Sequence, residues 1–160
     1  MSAASALSEH PGRLEKVFLN NIDEVSPNGI YAVNLYTLGV PHTVIVDDYL
    51  PMRRISNGRL GFWFAGLGTD GSIWGAILEK AFAKFHGNYL HLSMGHPYLA
   101  VRSLYGAPSS SYTHSKMTAS VLWQILEAAD RNHDVITCST PSGSHYTQNE
   151  VGLARATLTQ

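Results

Sequence analysis

The chain has 160 residues, of which 44% are hydrophobic, and eleven basic and twelve acidic side chains give it a formal net charge of −1. A chain of this length can bury about 70% of the surface that its unfolded form exposes, which is enough for one ordinary domain. The near-neutral charge argues against a nucleic-acid partner, and no apolar run approaches the roughly 18 residues of a membrane span.

The cysteine content and the N-terminal residues bear on the cellular compartment. The single cysteine, Cys138, excludes an internal disulfide, and the first residues lack the basic, apolar and small-residue pattern of a secretory signal. We therefore expect a cytoplasmic protein. Only 14% of the residues are charged, which is low for a free-standing surface, so we also expect a protein or peptide partner.

The first third of the chain predicts two short helices and a β-hairpin. Residues Met1 to Leu7 are small and helix-tolerant, and the apolar residues of Leu14 to Phe18 have helical spacing beyond Pro11-Gly12. Ile30 to Leu38 and His42 to Val46 are rich in β-branched and aromatic residues, which favours two paired strands.

Two segments follow the predicted hairpin. Arg59 to Ala65 is a short apolar run that could pair with the hairpin. Residues 66 to 71 (GLGTDG) are glycine-rich but lack the Lys-Ser/Thr ending of a phosphate-binding loop and the spacing of a dinucleotide fingerprint. They are predicted to form a plain loop.

Two long amphipathic helices are predicted in the middle of the chain. The first is expected from about Ser72 to Phe85 and is ended by Gly87; its apolar face consists of Trp74, Ile77, Leu78, Ala81, Phe82 and Phe85. All of these except Phe85 are expected to be largely buried. The second follows a turn-rich stretch at 106–111 and ends at Asn132-His133-Asp134; its apolar residues are Met117, Val121, Leu122, Ile125, Leu126 and Ala129. The composition shift near Gly106 is the predicted subdomain boundary.

The C-terminal segment predicts one buried strand and a polar loop. Val135 to Ser139 has the composition of a buried strand, and Pro141 to Asn149 that of a loop. Cys138 lies in the predicted strand, so it is interpreted as a small core residue, and not as a thiol nucleophile, which needs a positive and partly exposed setting.

Other polar residues give little indication of chemistry. The eight histidines show no metal-binding motif, so no zinc or other metal site is predicted. Asp47 and Asp48 are adjacent in a predicted strand and therefore point to opposite faces, where they cannot readily share a proton or a metal. One of them is expected to face solvent or to cap a turn.

Two ordered motifs resemble a known family. Trp74 to Tyr89 (WGAILEKAFAKFHGNY) resembles the calpain pattern of a tryptophan, a Leu-Glu-Lys-Ala-Tyr-Ala-Lys core and a Gly-x-Tyr ending. Val44 to Pro51 (VIVDDYLP) is similar to the family's Val-Val-Asp-Asp-x-Leu-Pro strand and turn. Met1 to Leu7 resembles the helix after the family's Cys-Trp pair, and Ile136 to Ser144 resembles a strand and loop of its second subdomain. The chain is thus identified as a member of the calpain-type cysteine proteases over essentially its whole length.

The resemblance implies an α+β fold, that of the papain-like calpain core. Residues 1–106 would form a helical first lobe with a small antiparallel sheet, and residues 107–160 the first helix and strand of a second, β-rich lobe. In the family, Cys, His and Asn form the catalytic constellation, and calcium binding aligns the lobes.

The catalytic positions of the family depart from its pattern here. In the register of the resemblance, the nucleophilic cysteine and the oxyanion-hole glutamine would lie just before Met1. Thr157 occupies the position of the catalytic histidine in ungapped register, whereas an insertion would place that histidine beyond Gln160. The asparagine would lie farther on in either case, so no catalytic residue is assigned in this chain.

The residues at the family's substrate-cleft and calcium-binding positions also differ from the family pattern. Gly95 resembles the cleft glycine that lets a substrate backbone approach closely, but its usual glycine neighbour is Met94 here. Ser72 stands where a calcium-ligating glutamate precedes the family's tryptophan, and Asp70 is the nearest carboxylate. Because calcium takes about six to eight oxygen ligands, we expect this site to be weak or lost, and no other cofactor.

Three functional hypotheses follow from the resemblance. The first is a degenerate calpain-like protein that is inactive by itself and acts as a binding or scaffolding element, with assembly through an open sheet edge near Val135 to Ser139. The second is a segment of an active calcium-dependent endopeptidase whose gene is longer. The third is a calcium-sensing module without catalysis, which would need carboxylate clusters that the sequence does not show.

Overall fold

A computed structural model of the chain describes residues 12–56, 58–92 and 97–138. The elements in these ranges are β1 (Ile30–Thr37), β2 (Val40–Asp47), β3 (Met52–Arg54), β4 (Leu60–Phe62), α1 (Trp74–Phe85), α2 (Pro97–Tyr105) and α3 (Ala119–Arg131), with 3-10 turns at Tyr89–Leu92 and His114–Lys116. This mixture of helices and small antiparallel sheets is an α+β arrangement. The predicted helix at 1–7 and loop at 141–149 lie outside the described residues. Within these ranges, no helix has the length and apolar character needed to cross a bilayer.

The predicted hairpin is confirmed as the antiparallel pair β1–β2. Its register runs from Ile30 opposite Asp47 to Thr37 opposite Val40. Side chains alternate along a strand, so one face of the pair is buried and the other is exposed. The buried face consists of Tyr31, Val33, Leu35, Val44 and Val46.

The helix predicted from about Ser72 to Phe85 is confirmed as α1, which begins at Trp74, and it covers the buried face of the hairpin. Ile77, Leu78 and Ala81 are completely buried, whereas Trp74 and Phe82 are only partly buried against the same core. The expected burial of this face is confirmed, completely for Ile77, Leu78 and Ala81 and in part for Trp74 and Phe82.

The charged residues of α1 attach it to its surroundings. Lys80 donates to Asp47 Oδ1 and, at 2.6 Å, to the carbonyl oxygen of Tyr49, and Lys84 donates to the carbonyl oxygen of Ile45 at 2.7 Å. Glu79 Oε2 accepts the backbone N–H of Ala65 at 2.6 Å. The helix motif thus combines an apolar stripe with three side chains that hold neighbouring backbone in place.

Asp47 also terminates β2, as expected for one member of the Asp47-Asp48 pair. Its carboxylate accepts the backbone N–H of Tyr49 at 2.9 Å, so it caps the turn that follows the strand. The hydrogen bond from Lys80, followed in importance by that from Tyr49, lowers the pKa of Asp47 below its ordinary value. The carboxylate is therefore ionised at neutral pH.

The predicted helix at Leu14 to Phe18 is wrong. The segment is a turn in which the N–H groups of Val17 and Phe18 both point to the Leu14 carbonyl, and Phe18 then forms a bridge with Val33 of β1. Val17 and Phe18 are both buried, and they lie along the edge of β1 that β2 leaves free. The unpaired backbone groups of that edge favour extended pairing over a short helix.

The apolar run at Arg59 to Ala65 forms a strand, but not in the expected sheet. Its residues 60–62 form β4, which pairs with β3 in a second hairpin, with Met52 opposite Phe62 and Arg54 opposite Leu60. The turn between β3 and β4 closes a much shorter loop than pairing with the first hairpin would. One edge of that first hairpin is also occupied by Phe18.

Helix α2 was not predicted from the sequence. It begins at Pro97, a position that suits proline because its missing N–H needs no partner there. Leu104 is buried against β1, and the Tyr105 hydroxyl donates to the Arg13 carbonyl at 2.7 Å. Gly106 ends the helix at φ +64, where a Cβ atom would lie 2.7 Å from the Tyr36 ring.

Helix α3 is confirmed, with its end at Asn132 as expected. Thr118 caps its N-terminus by accepting the N–H of Val121. None of its side chains is completely buried, and Trp123 is 68% exposed. Among the described elements, none packs extensively on α3.

The predicted buried strand at Val135 to Ser139 is wrong over residues 135–138. These residues have no regular secondary structure, and Cys138 is exposed. Only Val135 packs partly against the core. A strand needs a neighbour to satisfy its backbone groups, and the described ranges place no strand beside this segment.

The turn of the first hairpin contains an unfavourable residue that can be improved. Leu38 has φ +51 and Gly39 φ +82, the two positive values of a type I′ turn, in which Asn-Gly is preferred. Leu38 is 89% exposed, so its side chain contributes no packing. Leu38→Asn should raise the free energy of unfolding by about 0.5–1 kcal/mol, measured by urea titration. Leu99→Asn, at an exposed position of α2, should give no gain; an equal gain there would contradict the explanation.

The core contact between α1 and the hairpin predicts a large loss on truncation. Ile77→Ala should lower the free energy of unfolding by about 2–5 kcal/mol, because it opens a cavity at a completely buried position. The matched control is Trp123→Ala on exposed α3, which should change stability by about 0.5 kcal/mol or less. Equal losses in the two variants would contradict this assignment of the core.

Candidate functional site

The loop before α1 holds the two residues proposed for calcium, Asp70 and Ser72. Asp70 Oδ1 accepts the Ser72 N–H at 3.0 Å, and the Gly68 N–H donates to the Ser72 carbonyl at 2.8 Å. The Gly71 N–H closes a turn onto the Gly68 carbonyl at 2.9 Å, and Gly71 has φ +82, which favours glycine. The glycine-rich segment is thus a loop, as predicted, and it is closed by its own hydrogen bonds.

Asp70 is ionised and already engaged within this loop. The hydrogen bond from the Ser72 side chain, followed by that from the Ser72 backbone, lowers the pKa of Asp70 below its ordinary value. The fit is close, because a Cβ atom on Gly68 would lie 2.4 Å from Asp70 Oδ1 and 2.6 Å from Ser72 Oγ. A larger residue at position 68 would therefore displace the side chains of Asp70 and Ser72.

A cavity of about 230 Å³ opens beside the loop, between residues 18–25 and the start of α1. Its apolar walls include Ile22, Ile73 and Trp74, and its polar lining includes Asp23, Glu24 and Asp70. The sequence did not indicate this cavity, because it forms only where the turn at 20–25 meets the loop at 70–74.

The donor set beside this cavity does not fit calcium. Calcium takes about six to eight oxygen ligands, usually with several carboxylates. The loop supplies only the carboxylate of Asp70, and Asp23 and Glu24 line the same cavity without converging on it. In residues 12–56, 58–92 and 97–138, no three His, Cys, Asp or Glu side chains form a group that could hold a metal ion.

The structure also places a stacked pair next to α1 that the sequence did not indicate. The rings of Phe64 and Tyr89 are stacked, with centroids 4.2 Å apart and planes 12° apart. Burial, and then the nearby charge of Glu79, raises the pKa of Tyr89. The stack and the Glu79–Ala65 hydrogen bond fix the chain as it leaves β4. We assign these contacts a positioning role and no chemistry.

Three of the predicted site positions lie outside the described residues. These are Met94 and Gly95, the proposed substrate-cleft pair, and Thr157, the residue at the position of the catalytic histidine. Their assignments stay predictions. Asp70 and Ser72 are brought together, but by hydrogen bonds that serve the loop.

Cys138 is the only cysteine of the chain, and its setting differs from the predicted one. It is exposed beyond the C-terminus of α3, in a segment without regular structure. In the part of the chain that the structure describes, no hydrogen bond joins Cys138 to a histidine. Among those residues, no imidazole is therefore hydrogen-bonded to the thiol in the way that activates a cysteine nucleophile.

The exposed position of Cys138 reverses the expected reactivity of its thiol. A buried thiol would resist iodoacetamide in the folded state, but solvent access does not limit the reaction here. We expect Cys138 to be alkylated in the folded chain at a rate similar to that in urea, as measured by mass spectrometry. Cys138→Ser should take up no label. Strong protection in the folded chain would show that another segment or chain covers the thiol.

Comparison with known proteins identifies the family. The model of the calpain family cysteine protease matches residues 1–157. Calpain-14 of Homo sapiens is 31% identical over 150 residues, which cover 93% of this chain and 21% of that protein. The catalytic subunit of calpain-1 of Rattus norvegicus is 33% identical over 111 residues (69% and 15%), and calpain-A of Drosophila melanogaster is 31% identical over 129 residues (79% and 15%).

The extent of these matches has two consequences. The chain spans about a fifth or less of the length of these relatives, so their activities as whole proteins are not transferred to it. The family match itself covers almost every residue, including both motifs on which the resemblance was based. The chain belongs to the calpain family of cysteine proteases.

Proposed function

We propose that this chain is a segment of a calpain-type core that does not cleave peptide bonds by itself and acts as a binding or scaffolding element. A cysteine protease requires a thiolate paired with an imidazole base. The observation that carries the proposal is the position of the sole cysteine, Cys138, which is exposed beyond α3 without a histidine partner among the described residues. Residual stabilisation by the rest of a site does not replace a missing nucleophile.

Helix α3 supports the binding part of the proposal. It has an apolar face that the described residues leave incompletely covered; the half-buried members are Leu122, Ile125, Leu126 and Ala129. An exposed amphipathic face is suited to docking against another polypeptide. We therefore move the proposed assembly surface from the strand edge at 135–139, where residues 135–138 form no strand, to α3.

The proposed function does not depend on calcium binding. The single carboxylate of the loop, Asp70, is held by Ser72, so we propose that the calcium site is weak or lost. This disfavours the calcium-sensing alternative, which needs several converging carboxylates. The proposal also includes a cytoplasmic location and the division into two subdomains near Gly106.

A segment of an active endopeptidase is the second candidate. It is favoured by the intact core contacts of α1, because the apolar stripe and the attachments of Glu79, Lys80 and Lys84 are those of a well-formed scaffold. In that case the catalytic residues would come from outside these 160 residues, and this chain would supply only the framework that positions them.

A proteolysis assay with two chains distinguishes the candidates. We expect the 160-residue chain to release no fragments from casein or a fluorogenic peptide, with or without millimolar calcium, and Cys138→Ser to behave identically. The comparison is a chain extended at both ends by the genomic sequence, if the reading frame continues there. Activity of the extended chain alone would support the second candidate. Cleavage by the 160-residue chain that Cys138→Ser abolishes would overturn the proposal.

A further inference from the structure

The second hairpin, made of residues 52–55 and 59–63, projects from the rest of the described structure. Its strands β3 and β4 pair with each other in a sheet of their own and pack on no other described helix or strand to a comparable extent. Its base is closed by the Trp63 N–H, which donates to the Pro51 carbonyl at 3.1 Å. Beyond that point, the Phe64–Tyr89 stack fixes the chain to the body. We call this element the arginine hairpin.

Both faces of the arginine hairpin carry exposed apolar side chains. Residues paired across two strands share a face, so Met52, Phe62, Arg54 and Leu60 lie on one side. Arg53 and Trp63 lie on the other side, where the guanidinium is 5.8 Å from the centre of the indole ring. Leu60 is 63% exposed, Trp63 58% and Met52 42%. These side chains contribute little to the core, so the fold does not explain them.

The charge of the arginine hairpin contrasts with that of the whole chain. Residues 49–69 contain three arginines, at positions 53, 54 and 59, and no acidic residue, although the net charge of the chain is −1. The acidic residues that flank this stretch in sequence, Asp48 and Asp70, lie outside the hairpin, and Glu79 reaches only its base, where it accepts the Ala65 N–H. The hairpin is therefore a cationic and aromatic projection on a nearly neutral protein.

We propose that the arginine hairpin binds the surface of a membrane that contains anionic lipid, with Leu60, Trp63 and Met52 entering the headgroup region. A protein groove would cover one face of a two-stranded hairpin, whereas the interfacial region of a bilayer surrounds both faces at once. Tryptophan is enriched at that depth, and arginine keeps its charge at the headgroups while its stem lies on apolar surface. Charge complementarity with anionic headgroups adds attraction and specificity.

This binding is peripheral and does not depend on the proposed function. It involves neither Cys138 nor the apolar face of α3, so it would hold for an inactive scaffold and for an active protease segment. Its effect would be to place the chain at a membrane surface, where the arginine hairpin points toward the lipid.

The proposal is tested by cosedimentation of the 160-residue chain with vesicles. The vesicles are phosphatidylcholine alone or phosphatidylcholine with about a third phosphatidylserine. We expect partitioning into the anionic vesicles to exceed that into neutral ones by about tenfold or more, and to fall as salt rises. Arg53→Gln together with Arg54→Gln should weaken partitioning into the anionic vesicles by about twenty-five-fold, from roughly a fivefold loss for each arginine near the surface.

Matched variants separate the hairpin from other exposed groups. Trp63→Ala and Leu60→Ser should each reduce partitioning severalfold, while Trp123→Ala, on exposed α3, and Arg102→Gln, on α2, should leave it unchanged. Circular dichroism during heating verifies that each variant is folded. If Trp63→Ala is not folded, Leu60→Ser still tests the contribution of the exposed apolar side chains.

Three results would overturn the proposal. Equal partitioning into neutral and anionic vesicles would show that the charge of the arginines does not contribute to binding. A loss with Trp123→Ala as large as that with Trp63→Ala would move the contact to α3. Binding to polyglutamate or to an oligonucleotide, without binding to vesicles, would show that the arginines serve an acidic macromolecule.

Discussion

The packing of α1 on the β1–β2 hairpin is the contact on which the rest of the structure depends. A two-stranded hairpin is marginally stable in water, and an isolated helix of 12 residues is marginal as well. Joined, they bury Ile77, Leu78 and Ala81 against the apolar face of the sheet. The segment at Val17-Phe18 then covers the free edge of β1, and α2 adds Leu104 from the side of β1. The edge segment and α2 are therefore placed by this first contact.

The packing of α1 on the β1–β2 hairpin also explains the positions of the charged residues in the family motif. On α1, the residues next to the apolar stripe are long enough to reach the backbone of neighbouring segments. Lys80 and Lys84 hold the end of β2, and Glu79 holds the backbone after β4. The motif therefore specifies the position of a helix relative to two hairpins. Its presence in this chain shows a calpain framework, and it says nothing by itself about a thiol nucleophile.

Patterns with strong local periodicity were enough to predict α1, α3 and the first hairpin. The failures have a common cause, because Leu14–Phe18 and Val135–Cys138 are short segments whose structure depends on a neighbour. The first gains extended pairing at the edge of β1, and the second has no strand beside it in the described ranges. Helix α2 was missed because it is only 9 residues long. The cavity beside Asp70 could not be predicted at all, since two segments distant in sequence form it.

Exposed apolar side chains form two surfaces, one on α3 and one on the arginine hairpin, and these surfaces differ in shape and in charge. On α3, apolar residues lie along one face of a helix with both charge signs nearby, which suits a polypeptide that covers one side. On the arginine hairpin, apolar residues lie on both faces of a narrow projection without any acidic residue. A surface that is apolar on both sides gains most from a medium that can surround it. The two surfaces thus suit different kinds of partner, a polypeptide for α3 and a membrane surface for the arginine hairpin, as proposed above.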